Sequence, residues 1–241
     1  MKMFRKFRSV QGLTLVELLL GLSIFSVMAV SLYLIFQNGI MISRRAQRYS
    51  TLDGEMFFSM ELMARDLENM VSYTDRAAGE GSLKGNGEEI SMIVTERDGL
   101  KEVRYFLVPP EKSALSGVAA LWEDGPQKPG AGTRPRPMIL VREVSDFPCQ
   151  KRPCRDETTV QEIISAHVVT GGLKFMYATV RTDDDGDGLR WDPQWSELSA
   201  PLGVEILMDF LDPDGGLIYT MEKKMLVPSG IFTSPDREDK K

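Results

Sequence analysis

The N-terminal part of the chain is one long apolar run that follows a short basic segment. The stretch from Leu18 to Phe36 carries no charged residue, and its length is close to the ~20 residues that an α-helix needs to cross a bilayer. Residues 1–12 hold basic side chains and no acidic one. Because basic flanks stay in the cytoplasm, we predict a membrane helix over 13–43, with the rest of the chain on the far side of the membrane.

The helical pattern continues beyond the apolar run. Apolar residues recur there at steps of three and four, as one face of a helix requires: Leu52, Met56, Met60, Met63, Leu67, Met70 and Val71. The charged and amide residues are predicted to lie mostly off that face: Glu55, Glu61, Arg65, Asp66, Glu68 and Asn69. We therefore predict one helix from about Thr14 to about Tyr73, whose second half (44–73) packs on a sheet of its own domain. A methionine-rich face that binds varied partners is the alternative.

From residue 89 onward the period changes to the two-residue alternation of strands. Two strands are predicted around a turn at Arg97-Asp98-Gly99, and four more follow along the chain, over 137–144, 173–180, 203–211 and 217–228. One long helix followed by antiparallel strands predicts an α+β fold. The β-rich body is assigned to 74–233 and a loose tail to 234–241.

Composition excludes several classes of function. The 241 residues have a net charge of −6 and a pI of about 5.1, whereas a nucleic-acid surface needs a basic excess. One histidine and two cysteines are too few for a zinc site built from these residues. No G-x-S-x-G, P-loop or G-x-G-x-x-G sequence is present, so no motif indicates an enzyme.

Glu17 stands beside the start of the apolar run, where a carboxylate is out of place. An unpaired carboxylate in a membrane is costly or takes up a proton, and a simple anchor gains nothing from it. In a bundle of such helices, however, Glu17 could pair with a positive group.

The segment Gly12-Leu13-Thr14-Leu15-Val16-Glu17, after a basic leader and before an apolar helix, resembles the class III signal of type IV pilins and type II secretion pseudopilins. The resemblance implies that a prepilin peptidase cuts between Gly12 and Leu13, removes 1–12 as a leader and N-methylates Leu13. It also implies that Glu17, with Thr14 beside it, meets the N-terminal amine of a neighbouring subunit. The family usually has Phe where this chain has Leu13.

Segments of the chain beyond the apolar run narrow the resemblance to one type of pseudopilin. The segments LMARDLENMV, VRYFLV, MILVREV, LRWDPQW and LGVEILMDFL, in this order, are similar to the J-type minor pseudopilin (general secretion pathway protein J). The resemblance implies a pilin-like fold, a single-pass protein of the bacterial inner membrane with its body in the periplasm, and no catalysis. The implied partners are the I, K and H types of minor pseudopilin and the major pseudopilin.

An aspartate-rich loop is the most specific candidate binding motif of the body. Asp183, Asp185 and Asp187 alternate and precede Gly188, as in the opening of a calcium loop. The twelfth position is Gln194 rather than Glu, so Asp192 or Glu197, together with backbone carbonyls, would complete the shell around Ca²⁺. A solvated acidic turn between two strands is the alternative.

Three further features carry weaker hypotheses. Cys149 and Cys154 would form a disulfide that closes a short loop in an oxidising compartment. His167, alone in the chain, is expected to be structural or on the surface, and Trp191 and Trp195 are expected to pack in or near the core.

The sequence thus supports two functions of different classes. The first is a minor pseudopilin of the filament tip, which primes assembly for export of folded proteins across the outer membrane, with a W-type minor pilin of a type IV pilus as nearest competitor. The second is a membrane-anchored periplasmic enzyme or calcium-dependent binding protein that uses the aspartate loop.

Overall fold

The computed structural model describes residues 14–75, 80–110, 136–147, 159–181, 188–212 and 217–228. It divides the chain into two compact units, Met1–Arg48 and Tyr49–Lys241. A single helix, α1 (Leu15–Glu68, 54 residues), belongs to both. The predicted long helix is therefore confirmed.

The helix ends at Glu68, five residues before the predicted end at Tyr73, because its backbone changes partners. The Val71 N–H donates to the Ile93 carbonyl (3.0 Å), and the Thr95 N–H donates to the Asn69 carbonyl (3.1 Å). The chain after Glu68 therefore joins the edge of a strand, an exchange that side-chain periodicity does not reveal.

All strand pairs among the described residues are antiparallel. The strands are β1 (Thr74–Asp75), β2 (Glu80–Gly81), β3 (Leu83–Gly85), β4 (Ile90–Glu96), β5 (Gly99–Val108), β6 (Pro137–Asp146), β7 (Val160–Arg181), β8 (Gly188–Asp192), β9 (Gly203–Leu211) and β10 (Ile218–Leu226). The main sheet has the order β10-β9-β7-β6-β5-β4-β3, β8 pairs with β7, and β1 and β2 form a separate two-stranded sheet. The predicted α+β fold is confirmed.

Strand β7 is much longer than the predicted 173–180 and holds the sheet together. Its first half pairs with β6, and its second half pairs with β9 on one side and β8 on the other. Gly171 has a φ of +69°, which glycine tolerates, and the register to β9 shifts there between Val168 and Leu173. That irregularity interrupts the alternation, which is why the sequence indicated only the second half of the strand.

The core of the Tyr49–Lys241 unit lies between α1 and the main sheet. Met60 and Met63 are buried there with Tyr105, Phe175 and Phe210. The predicted packing of the methionine-rich stripe on its own domain's sheet is confirmed. Val71 differs, since it is only half-buried on the segment beyond the helix.

Candidate functional site

The first turn of α1 holds the residues assigned to assembly. Thr14 precedes the helix, and its hydroxyl oxygen accepts a hydrogen bond from the Glu17 N–H at 3.3 Å. Its carbonyl oxygen accepts from the N–H groups of Glu17 (3.1 Å) and Leu18 (3.2 Å). Thr14 is thus the N-cap and Glu17 the third helical residue, a spacing that places a carboxylate at the positive end of the helix dipole.

The apolar surface that follows is exposed along its length. Phe25, Leu32 and Phe36 expose 68%, 68% and 66% of their surface, and their apolar neighbours from Leu15 onward are similarly open. Over the described residues, α1 is the one helix long and apolar enough to cross a membrane. A surface of this kind needs lipid or other helices to cover it.

The hydroxyl groups of this segment are already satisfied. Ser23, Ser26 and Ser31 each donate to the carbonyl four residues earlier, at 2.8, 2.8 and 2.9 Å. Within residues 14–36, Glu17 is the sole charged side chain, and unlike these serines it cannot donate to a helix carbonyl when ionised.

A second polar site joins the far end of α1 to the sheet. Asp66 is 3% exposed, and its Oδ2 accepts from the Tyr105 hydroxyl at 2.6 Å and from Arg142 Nε at 2.8 Å. The guanidinium also donates to Glu162 through Nη1 (3.2 Å) and to Glu96 through Nη2 (3.1 Å). We call Asp66, Tyr105 and Arg142 the buried anchor.

The register of the sheet explains how the buried anchor forms. Tyr105, Arg142 and Glu162 lie directly opposite one another on β5, β6 and β7. Asp66 comes from α1, which packs on the same face of the sheet. Burial by itself would lower the pKa of Arg142, because it disfavours the charged guanidinium. The hydrogen bond and negative charge of Asp66 outweigh burial, so the pKa of Arg142 is raised. Burial and the Asp66 charge likewise raise the pKa of Tyr105, which keeps the phenol protonated as a donor. Asp66 had been expected off the buried face, so this prediction was wrong.

A third polar cluster contains the only histidine of the sequence. Glu55 Oε2 lies 2.8 Å from His167 Nδ1 and accepts from the Ser165 hydroxyl at 2.9 Å. Burial alone would raise the pKa of Glu55, but the bonds from His167 and Ser165 hold it below its usual value. Ser165 thus donates to the carboxylate of Glu55 rather than to the imidazole of His167. The trio therefore lacks the serine-to-histidine hydrogen bond that activates a serine nucleophile.

The tryptophan pair behaves as expected. Trp195 is 5% exposed and its backbone exchanges two hydrogen bonds with Gly85, at 3.0 and 2.8 Å. A Cβ at Gly85 would collide with the Tyr177 hydroxyl, so glycine leaves room at this position for the buried Tyr177 ring. Trp191 is half-buried on β8.

Other predicted site residues lie outside the described residues: Gly12, Leu13, Cys149, Cys154, Asp183, Asp185 and Asp187. Cleavage, methylation, the disulfide and calcium binding therefore stay predictions. Asp192 is described: it lies on β8 opposite Tyr177 of β7, and its Oδ1 accepts from Arg190 Nε at 3.2 Å. It lies four positions, about 13 Å, along β8 from Gly188. The described residues contain no group of three His, Cys, Asp or Glu side chains placed to hold a metal ion.

Comparison with known proteins locates one recognised segment. Residues 7–33 match the prokaryotic N-terminal methylation motif, and this range includes Thr14 and Glu17. No curated protein and no solved structure matches the chain. The motif indicates a type IV pilin-like protein, a pilin or a pseudopilin, and implies processing by prepilin peptidase and assembly with other pilin-like proteins.

Proposed function

We propose that this chain is a minor pseudopilin of the type II secretion system, of the J type, in the bacterial inner membrane with its body in the periplasm. It joins the I, K and H types at the filament tip and primes assembly of the major pseudopilin, so that folded proteins are exported across the outer membrane. It has no enzymatic role. The observation that carries the proposal is a lone carboxylate, Glu17, at the head of an exposed apolar helix inside a methylation motif.

The chemistry of assembly rests on charge pairing in a medium of low dielectric constant. Leader removal frees an amine at Leu13, and the Glu17 carboxylate of a neighbouring subunit neutralises it. Either charge alone is costly in lipid, whereas the two together largely offset each other's desolvation. Only one axial offset between two such helices brings the charges together, so the pair sets their register.

The rest of α1 supplies apolar contact area near its start and holds the sheet near its end. The exposed apolar side chains after Glu17 pack between helices and lipid. Because the buried anchor ties α1 to β5 and β6, the body of each subunit is fixed to the end of its own helix.

The test replaces Glu17 by Gln in the full-length chain and measures secretion and co-isolation with the other pilin-like subunits. We expect both to be lost, since the amide keeps the shape of the side chain but removes its charge. Ser23→Ala, which changes a self-satisfied polar group in the same segment, is the matched control and should behave as wild type. In both proteins the intact mass should begin at Leu13 with one added methyl group. Normal secretion by the Gln variant would refute the proposal.

A further inference from the structure

Two adjacent aromatic rings on α1 face away from the core of the Tyr49–Lys241 unit. Phe57 exposes 68% and Phe58 56% of its surface, whereas Met56 and Met60 on the same helix expose 8% and 3%. The buried stripe already contacts the sheet, so the two phenylalanines contribute nothing to the unit's own core. Exposed rings next to each other on a helix mark a contact surface more often than scattered apolar residues do.

A glycine lies one turn before the pair. Gly54 precedes Phe57 and Phe58 by three and four residues, so all three share one side of the helix. Helical side chains lean toward the N-terminus, which brings the two rings over the turn that contains Gly54. We call Gly54, Phe57 and Phe58 the aromatic notch.

Nothing in the described part of the chain requires this glycine. A Cβ at Gly54 would meet no atom within 4 Å, and a glycine inside a helix weakens that helix relative to alanine. Close approach of an external backbone is a physical reason for a glycine flanked by two exposed rings, because its missing side chain lets another helix come near.

The surroundings of the notch disfavour lipid as its occupant. Glu61, one turn further on, has 78% of its side chain exposed and forms an ion pair with Lys223 at 3.0 Å. Arg65 follows with 61% of its side chain exposed, and Asp53 beside Gly54 is also exposed. Apolar rings within a rim of both charge signs are typical of a protein interface and unfavourable in a bilayer.

We propose that the aromatic notch docks an α-helix of a neighbouring pilin-like subunit. The inference rests on the proposed function and extends it to a second contact, outside the membrane segment. The occupant follows from continuity: the helix that bears the notch is the same α1 that begins in the methylation motif, and that motif implies assembly with other pilin-like proteins. Neighbours that share this motif have a corresponding N-terminal helix, and the missing side chain of Gly54 leaves space for such a helix.

The test places a photo-crosslinking phenylalanine derivative at Phe57 in the full-length chain, in the bacterium that produces it, with its secretion genes intact. The matched control has the same group at Val180, which is 57% exposed on β7. We expect adducts from position 57 whose partner peptide, identified by mass spectrometry, comes from the N-terminal helix of another subunit with a methylation motif. Adducts only with lipid, with non-helical segments or with proteins lacking the motif would overturn the inference, as would equal yields at both positions.

Variants then separate docking from folding. The double change Phe57→Ser and Phe58→Ser should leave thermal unfolding of the purified chain unchanged and reduce co-isolation of partner subunits by at least about tenfold, as for an aromatic hot spot. Gly54→Ala should raise the melting temperature, and Gly54→Leu should reduce co-isolation by filling the notch. Val180→Ser is the control and should reduce nothing.

Failure here differs from failure of the proposed function. If the Phe57 and Phe58 variants assemble normally while Glu17→Gln does not, the notch is not a docking site and the pseudopilin assignment stands. If Glu17→Gln also assembles normally, the pseudopilin assignment itself fails.

Discussion

Two carboxylates of α1, Asp66 and Glu17, show how much surroundings decide what the same chemical group does. Asp66 accepts from Tyr105 and Arg142 within one buried cluster. Glu17 has its N–H capped by Thr14 and stands exposed at the head of an apolar surface. Asp66 thus has its hydrogen-bond partners within the chain, whereas we propose that Glu17 is paired by a neighbouring subunit.

Removing the negative charge of Asp66 tests the buried anchor. Asp66→Asn should lower the free energy of unfolding by roughly 3–5 kcal/mol, because Arg142 keeps its buried charge without its closest counter-ion. Asp53→Asn, at an exposed position of the same helix, should change it by less than about 0.5 kcal/mol. Denaturant unfolding of the detergent-solubilised chain measures both.

A paired replacement separates charge loss from packing loss in the buried anchor. Asp66→Leu combined with Arg142→Leu should cost less than Asp66→Asn alone, since no charge is left buried without a partner. A double variant that is less stable than the single one would contradict this interpretation of the anchor.

The Glu55 and His167 pair predicts a pH dependence. The pKa of Glu55 is lowered in the folded state from the usual 4.5, so between the two values the unfolded chain binds more protons. Its contribution to stability is therefore present above about pH 4.5 and is lost as the pH falls toward the native pKa. Unfolding from pH 3 to 7 should show the advantage of wild type over Glu55→Gln shrinking as the pH falls below about 4.5. An advantage that stays constant or grows below that pH would contradict it, with exposed Glu68→Gln as the charge control.

Sequence reasoning was strongest for individual residues with a repeated pattern and weakest for those that interrupt one. The methionine stripe recurs every three or four positions, and its burial followed from that spacing alone. Asp66 is three residues after Met63 and four before Met70, so helical spacing brings it beside the buried stripe, and only its charge suggests an exposed position. The partners that allow its burial, Tyr105 and Arg142, are far away in the sequence, and only the pairing of β5 with β6 brings them together.

At the scale of elements, the packing of α1 on the sheet buries the hydrophobic core of the body. Met63 is 0% exposed in the core between α1 and the sheet. Met63→Ala should lower the free energy of unfolding by about 2–5 kcal/mol through lost burial and the cavity left behind. Phe57→Ala should have almost no effect on the free energy of unfolding, because its ring is already exposed. Equal destabilisation by both changes would show that this face of the helix has been wrongly assigned.

The same scale shows where element boundaries escape prediction. Strands β4, β5, β6, β9 and β10 lie where alternation placed them, within a few residues. Strand β8 was missed because it is short, and the first half of β7 because Gly171 and Gly172 break the alternation. The helix end was misplaced for another reason: the backbone of Asn69 and Val71 gains partners in β4. At the helix end, a long-range backbone pairing thus overrides the local pattern.

At the scale of the whole molecule, the chain combines an apolar helical segment with a β-rich unit that has its own core. Fold class and the assembly segment could be predicted because both depend on local features, the hydropathy of a long run and a six-residue signal. The buried anchor could not, because it depends on strands that bring Tyr105 and Arg142 together beneath Asp66. The long apolar N-terminal helix fits a single-pass membrane anchor.

The central claim is that Glu17 is tolerated at the edge of the membrane because another subunit neutralises it. The most direct measurement places the photo-crosslinking group at Val16, which is 71% exposed beside Glu17, in the full-length chain in its own cells. We predict adducts with the N-terminal segment of another methylation-motif subunit, and their loss when Glu17→Gln is added. Adducts with phospholipid alone, or adducts with a subunit that persist unchanged after Glu17→Gln, would contradict it.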